Sequence, residues 1–184
     1  SNRSSELRPA LEGLSVAVVE SHTVDIAPDG LIEVAIDDAT LAVRSLSINS
    51  GASDGNVTIE VASLDGDPPP SIASPGSGVY QYIQIGHEQL EDGAIESVTI
   101  AFDIARSWLE SNDHETDDIA LQRFDGGWTV LPTRAVGQDL SKVQYESVSP
   151  SLSLFAVTAA KRDRRPSSSD VEPDEPTPTA TLAP

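Results

Sequence analysis

One pentapeptide has the residue types and spacing of a serine nucleophile. Residues 51–55 have the sequence Gly-Ala-Ser-Asp-Gly, which matches the G-x-S-x-G pattern of a nucleophile elbow. That motif needs a strand before the serine and a helix after it. Here the following residues, Val57 to Leu64, alternate apolar and polar side chains as a strand does. The pattern therefore predicts a hairpin turn at 51–55 and no catalytic serine.

Metal chemistry has little support from residue spacing. The three histidines, His22, His87 and His114, are too far apart to form a His-x-x-x-His zinc pair, and we expect them to be solvated loop side chains. The chain has no cysteine, which excludes thiolate zinc sites and disulfide bonds. Acidic pairs such as Asp37-Asp38 offer oxygen ligands, but no stretch follows the D-x-D-x-D-G calcium-loop pattern. Calcium at an acidic loop stays open; otherwise we predict no catalytic residue, no metal site and no cofactor.

Two Asn-x-Ser/Thr sequons are candidate attachment sites for N-linked glycans. The first begins at Asn2 and the second at Asn56. Glycans attach to such asparagines on the surface of secreted proteins. Because Asn2 lies at the terminus, Asn56 is the stronger candidate.

The aromatic side chains bear on whether the protein cleaves or binds carbohydrate. Paired carboxylates serve glycoside hydrolases, but a sugar-cleaving site normally also exposes aromatic side chains. Aromatic residues make up only 4% of the chain, and we expect them in the core, with Trp108 and Trp128 at least partly buried. A carbohydrate- or ligand-binding β-sandwich module is kept as the alternative function. It would expose a row of aromatic side chains on one sheet face.

The charge balance indicates a protein adapted to high salt. Thirty acidic residues stand against eleven basic ones, which gives a net charge of −19. Such a surface repels itself at low ionic strength, and near 1 M salt a Debye length of about 3 Å screens the repulsion. We infer a halophilic origin. The same charge excludes nucleic acid as a partner, because phosphate contacts need clustered lysine and arginine.

Period-two alternation dominates the chain and predicts about ten short strands. The candidate strands are 14–20, 32–36, 41–48, 57–61, 79–85, 95–104, 119–124, 128–131, 143–148 and 152–158. A shift in apolar parity between Val43 and Leu46 predicts a bulge, and Asp-Gly pairs mark turns between strands. One short helix is predicted at 104–111. The fold class is therefore all-β, an antiparallel immunoglobulin-like β-sandwich with one short helix and a disordered C-terminal tail.

Composition divides the chain into five segments. Residues 1–10 are a frayed N-terminus, residues 11–64 a β-rich N-terminal part, and residues 65–78, with four prolines, a long loop or hinge. A β-domain covers residues 79–160. Residues 161–184 are a Pro/Thr/Ser/acidic linker, which we expect to be disordered. Its last 19 residues reach roughly 60 Å if they are extended.

Residues 78–157 contain a series of short motifs in a fixed order. They are Val79-Tyr80-Gln81-Tyr82, Ser107-Trp108-Leu109, Trp128-Thr129-Val130-Leu131-Pro132-Thr133, Ser149-Pro150 and Phe155-Ala156-Val157. As a set they resemble the PGF-pre-PGF domain of archaeal surface proteins. In that family the domain precedes a Thr/Pro-rich spacer and a PGF-CTERM signal, which an archaeosortase processes. The sequence contains such a spacer but neither the Pro-Gly-Phe motif nor the apolar helix of the signal.

The resemblance and the composition together give an expected function. We expect a non-catalytic extracellular structural or adhesive module of a cell-surface glycoprotein, anchored to the archaeal membrane in the full-length protein. The expected partners are other cell-envelope or surface proteins and glycans, with the membrane contacted only through an anchor beyond Pro184. Ser1 is not an initiator methionine, and no apolar run approaches the roughly 20 residues that span a bilayer. We therefore expect a piece of a longer precursor.

Overall fold

Alternating apolar and polar residues form eleven strands in the part of the chain that the computed structural model describes, residues 16–64, 72, 74–76 and 78–160. The strands are β1 (Val16–Asp25), β2 (Leu31–Ala35), β3 (Val43–Ser50), β4 (Asn56–Leu64), β5 (Gly78–Glu88), β6 (Ile95–Ala105), β7 (Ile119–Phe124), β8 (Trp128–Val130), β9 (Thr133–Gln138), β10 (Lys142–Ser149) and β11 (Leu154–Ala159). Helix α1 (Arg106–Ser111) follows β6, and Asp92–Ala94 and Thr116–Asp118 form short 3-10 helices. The predictions for residues 1–10, for 65–71 and for the linker 161–184 lie outside the described residues.

The strands form two antiparallel sheets that pack face to face. The six-stranded sheet has the order β1-β4-β5-β11-β7-β8, and the five-stranded sheet has the order β2-β3-β6-β10-β9. The predicted all-β sandwich is therefore confirmed, with eleven strands instead of about ten. Strands from both sides of the Pro-rich segment contribute to each sheet, because β4 pairs with β5 and β3 pairs with β6.

Four connections carry the chain from one sheet to the other at the same end of the sandwich, which we name the corner end. They join β1 to β2, β3 to β4, β5 to β6 and β10 to β11. Neighbouring connections are bonded through their backbones: Ile26 N–H donates to Gly55 O at 2.9 Å, and Gly51 N–H donates to Ala94 O at 2.7 Å. A pair of strands in one sheet therefore continues as a pair in the other.

The predicted inner face of β6 lies at the centre of the core. Burial alternates along this strand, and the even-numbered residues from 98 to 104 are at most 1% exposed. They belong to one cluster with buried side chains of the six-stranded sheet, including Ile59 and Ile85. Phe102 stacks on Tyr145 of the neighbouring strand, with ring centroids 5.4 Å apart. The Tyr145 hydroxyl donates to the carbonyl oxygen of Thr116 at 2.8 Å, and burial above all raises the pKa of Tyr145 to about 12.

A second apolar cluster lies on the outer face of the six-stranded sheet, where strict alternation would place polar side chains. Its buried members are Leu64, Tyr82, Leu154 and Ala156, against which Ile72, Phe124 and Trp128 pack. The ring centroid of Trp128 lies 5.3 Å from that of Phe124. Trp108 packs on the main core instead, edge-on to Tyr80. The predicted partial burial of both tryptophans is confirmed.

Local predictions are corrected at three places. Residues 51–55 form a turn followed by a strand, as predicted, but the turn joins strands of different sheets and is not a hairpin. The sequence analysis has no strand at Thr133–Gln138, because this edge strand is largely exposed and has no apolar face. The helix begins at Arg106 rather than at residue 104, because β6 continues to Ala105. The predicted bulge is confirmed, between Val43 and Ser45.

Substitution of two glycines at the corner end tests how closely that end is packed. Gly30 and Gly55 both have a positive φ, of 82° and 95°. A Cβ at Gly30 would lie 2.1 Å from the carbonyl oxygen of Ser50, whereas a Cβ at Gly55 would have nothing within 4 Å. We expect Gly55→Ala to lower the free energy of unfolding by about 1–2 kcal/mol, through the left-handed conformation alone. Gly30→Ala should lower it by at least about 2 kcal/mol more, because backbone must also move. Urea denaturation measures both losses, and equal losses would contradict the described corner.

Candidate functional site

The serine of the G-x-S-x-G pentapeptide is not positioned as a nucleophile. Ser53 is exposed in the corner between β3 and β4. A strand begins at Asn56, where a nucleophile elbow would begin a helix. The turn predicted for this motif is therefore confirmed, whereas the absence of catalytic chemistry stays a prediction.

The three histidines lie in separate environments, and none is the solvated loop side chain predicted from the sequence. His22 lies on β1, where its Nε2 atom contacts the Glu20 carboxylate. His87 lies on β5, and His114 stacks on Trp108 with ring centroids 5.6 Å apart. All three side chains are partly buried. Within the described ranges, no three His, Asp or Glu side chains are grouped so that they could hold a metal ion.

The Glu20 carboxylate, whose pKa is lowered, joins the edges of the two sheets by hydrogen bonds. Glu20 accepts hydrogen bonds from the backbone N–H groups of Asp37 at 3.0 Å and Asp38 at 2.9 Å. These bonds, first that from Asp37, hold the pKa of Glu20 below its ordinary value. Glu20 lies on the edge strand of the six-stranded sheet, and its two donors follow the edge strand of the other sheet. The shift therefore has a structural cause and does not indicate a catalytic acid.

Glu60 differs, because its pKa is raised, chiefly by burial and then by the charge of Glu88. The two carboxyl groups belong to neighbouring strands, since Glu60 pairs with Gly86 and Thr58 pairs with Glu88. Neither side chain lines the two cavities that the end loops of the sandwich form. The pair is therefore separate from both end cavities.

The corner end contains a cavity of about 430 Å³. Its lining includes Ile26, Ala52, Leu90, Asp54 and Glu91. Gln89 also lines it with a φ of 65°, an uncommon conformation for a residue other than glycine. The Gln89 side-chain oxygen accepts a hydrogen bond from the Thr58 N–H at 3.1 Å, which holds the turn against β4. The charged side chains of its lining, Asp54 and Glu91, are both acidic and lie beside apolar ones.

The stronger sequon lies beside this cavity. Asn56 is the first residue of β4, is exposed, and contributes to the cavity lining. The hydroxyl of Thr58, in the same sequon, lies 2.8 Å from the hydroxyl of Thr23 on β1. Exposure of the asparagine is what glycan attachment requires. The second candidate, Asn2, lies outside the described residues.

Comparisons with known proteins give no family assignment. No protein-family model matches the chain, and no curated protein matches it. The resemblance of residues 78–157 to the PGF-pre-PGF domain therefore stays a prediction that rests on its motifs. In the part of the chain that the structure describes, no helix is long and apolar enough to cross a membrane.

We predict that Asn56 carries a glycan when the protein is exported by a host that glycosylates sequon asparagines. Peptide mapping by mass spectrometry should find the Asn56 peptide with the added mass of the glycan, and Asn56→Gln should abolish it. The matched control is Asn49→Gln, because Asn49 is exposed but is not part of a sequon. An unmodified Asn56 peptide from the unaltered protein would show this prediction to be wrong.

Proposed function

We propose that this chain is a non-catalytic structural or adhesive module of an archaeal cell-surface protein, held near the membrane by a C-terminal anchor. The observation that carries the proposal is the direction of the first and last described strands. β1 runs towards the corner end, with Val16 paired to Leu64 and Asp25 paired to Asn56. β11 runs away from it, and Ala159 pairs with Gly78 at the opposite end, which we name the far end.

The chain enters β1 and leaves β11 at the same end of the sandwich. This suits a module that is attached at that end and displays the opposite end. The first residue of β1 and the last residue of β11 both lie at the end opposite the corner end. A spacer in a linear array of domains would instead need its two connections at opposite ends. A module held from the far end would display the corner-end cavity and Asn56 outwards. This arrangement favours presentation of a surface over simple extension of a stalk.

The position of the aromatic side chains supports a structural or adhesive role over sugar stacking. The eight aromatic residues are all described, and every one is buried or partly buried. On the outer face of the six-stranded sheet, Trp128, Phe124 and Tyr82 pack against one another. The outer face of the five-stranded sheet has small polar side chains at its centre, such as Ser47 and Thr99. An open row of aromatic side chains, as in the alternative binding module, is not among the described residues.

The composition of the chain supports both a high-salt environment and a C-terminal anchor. The net charge of −19 suits a solvent in which salt screens repulsion between acidic side chains. Residues 166–184 are rich in proline, threonine and serine and contain no aromatic residue, the composition of a spacer between a domain and its anchor. The resemblance to a domain that precedes an anchor signal points the same way.

Cell fractionation tests the proposal. In cells of the source organism, the protein made from its full reading frame should stay with the washed envelope fraction. A membrane-impermeant amine reagent added to whole cells should label it, because the Lys142 side chain is 40% exposed. A version of the same reading frame that stops after residue 160 should appear in the medium, which controls for general adhesion to the envelope. Recovery of the full-length protein from the medium or the cytosol would contradict the proposal.

A further inference from the structure

A second cavity, of about 270 Å³, lies at the far end of the sandwich. We name it the far-end cavity. Connections of both sheets surround it: the β2–β3 connection at residues 39–42, the turn before β10 at Ser141, and the end of β6 at Ala105. Tyr80 reaches it from β5 of the other sheet. The cavity therefore depends on the sandwich packing and not on any single loop.

The lining of the far-end cavity brings together two basic side chains of a strongly acidic protein. The described residues contain five basic side chains, namely Arg44, Arg106, Arg123, Arg134 and Lys142. Arg44 and Lys142 both line this cavity, and Asp103 is the acidic side chain in its lining. The Lys142 Nζ atom lies 2.8 Å from Asp103 Oδ2, and Arg44 Nε lies 3.8 Å from the same oxygen. Two positive charges of the lining thus share one carboxylate, while the Asp38 carboxylate also interacts with Arg44 and the Asp139 carboxylate with Lys142.

Three side chains that line the cavity keep hydrogen-bond donors beyond those used within the protein. Arg44 donates from Nη2 to Asp38 O at 2.7 Å and from Nε towards Ala42 O at 3.5 Å, and its guanidinium has a further nitrogen, Nη1. Lys142 has three N–H groups and gives one to Asp103. The Tyr80 oxygen receives only a long contact from a backbone N–H at 3.5 Å, and its own O–H remains to donate.

A β-bulge sets the position of one of these side chains. The register between β3 and β6 shifts between Val43 and Ser45, so Arg44 occupies the bulge. Bulges redirect a side chain relative to its strand and are common beside binding sites. The Arg44 guanidinium is then fixed by the β2–β3 connection through its bond to Asp38 O. The arginine is therefore held at the cavity before any ligand arrives.

We propose that the far-end cavity binds the carboxylate group of a small ligand. The two cations of the lining attract an anion, whereas the carboxylates of Asp103, Asp38 and Asp139 beside them disfavour a doubly charged group such as phosphate. Arg44 Nη1, the Lys142 ammonium and the Tyr80 hydroxyl are the donors that would bind the carboxylate. The volume of about 270 Å³ lies just below the range of ordinary small-molecule pockets, which suits a single sugar ring or one amino-acid residue. The carboxylate could belong to an acidic sugar or to a peptide terminus.

Calorimetric titration with matched probes tests the site. The probes are glucuronate, glucose as its neutral counterpart, and N-acetylglycine as a peptide carboxylate, all in about 2 M KCl, where long-range repulsion is screened. We expect at least one carboxylate probe to bind and glucose not to bind. Binding of glucuronate alone identifies an acidic sugar as the ligand class, and binding of N-acetylglycine alone identifies a peptide terminus. Binding of neither carboxylate, or of glucose as tightly as glucuronate, would overturn the proposal.

Two variants and a charge-matched control localise the binding. Lys142→Gln and Tyr80→Phe should each weaken binding at least about tenfold, since each removes a hydrogen bond to a charged group. Tyr80→Phe keeps the ring contact with Trp108, whose centroid lies 5.0 Å away, so the fold should be retained. Arg134→Gln removes the same charge as Lys142→Gln but outside the cavity, at a side chain 77% exposed and paired with Glu146. It should leave the affinity unchanged; equal effects of Lys142→Gln and Arg134→Gln would show that only net charge matters.

Discussion

The structure depends on strand pairs that continue from one sheet into the other. β3 and β6 pair in the five-stranded sheet, and their continuations β4 and β5 pair in the six-stranded sheet. The same holds for β2 with β3 and β1 with β4, and for β6 with β10 and β5 with β11. Neither sheet can therefore form its ladders without bringing strands of the other into register. Burial of Phe102, Ile59 and their neighbours in one core follows from this shared pairing.

Both cavities are consequences of that arrangement. The inner faces of the sheets are filled by the core, and aromatic side chains fill part of one outer face. The two cavities lie at the two ends, where connections of both sheets meet. The corner-end cavity is acidic and lies beside Asn56, whereas the far-end cavity holds Arg44 and Lys142. The linings of the two cavities thus differ in charge within one acidic molecule.

Sequence reasoning succeeds where a residue's neighbours along the chain decide its structure. The inner face of β6 and the bulge at Arg44 are visible as apolar parity. β9 leaves no such signal, because an exposed edge strand needs no apolar face. The Asp54-Gly55 pair predicts a turn, and Gly55 has the positive φ of such a turn. The pair does not determine which sheet the next strand joins. The far-end cavity is equally hidden, because Arg44, Tyr80 and Lys142 come from separate strands that only tertiary pairing brings together.

Native-state amide hydrogen exchange tests the shared pairing most directly. The backbone amides to compare are those of Val61 and Ile85 in the six-stranded sheet and Leu46 and Ile100 in the five-stranded sheet, since all four residues are at most 1% exposed. If neither sheet is stable without the other, the slowest amides of both sheets should exchange with the same opening free energy, equal to that of global unfolding. An opening free energy lower by more than about 2 kcal/mol throughout one sheet would show that the other sheet persists alone, and would contradict this account.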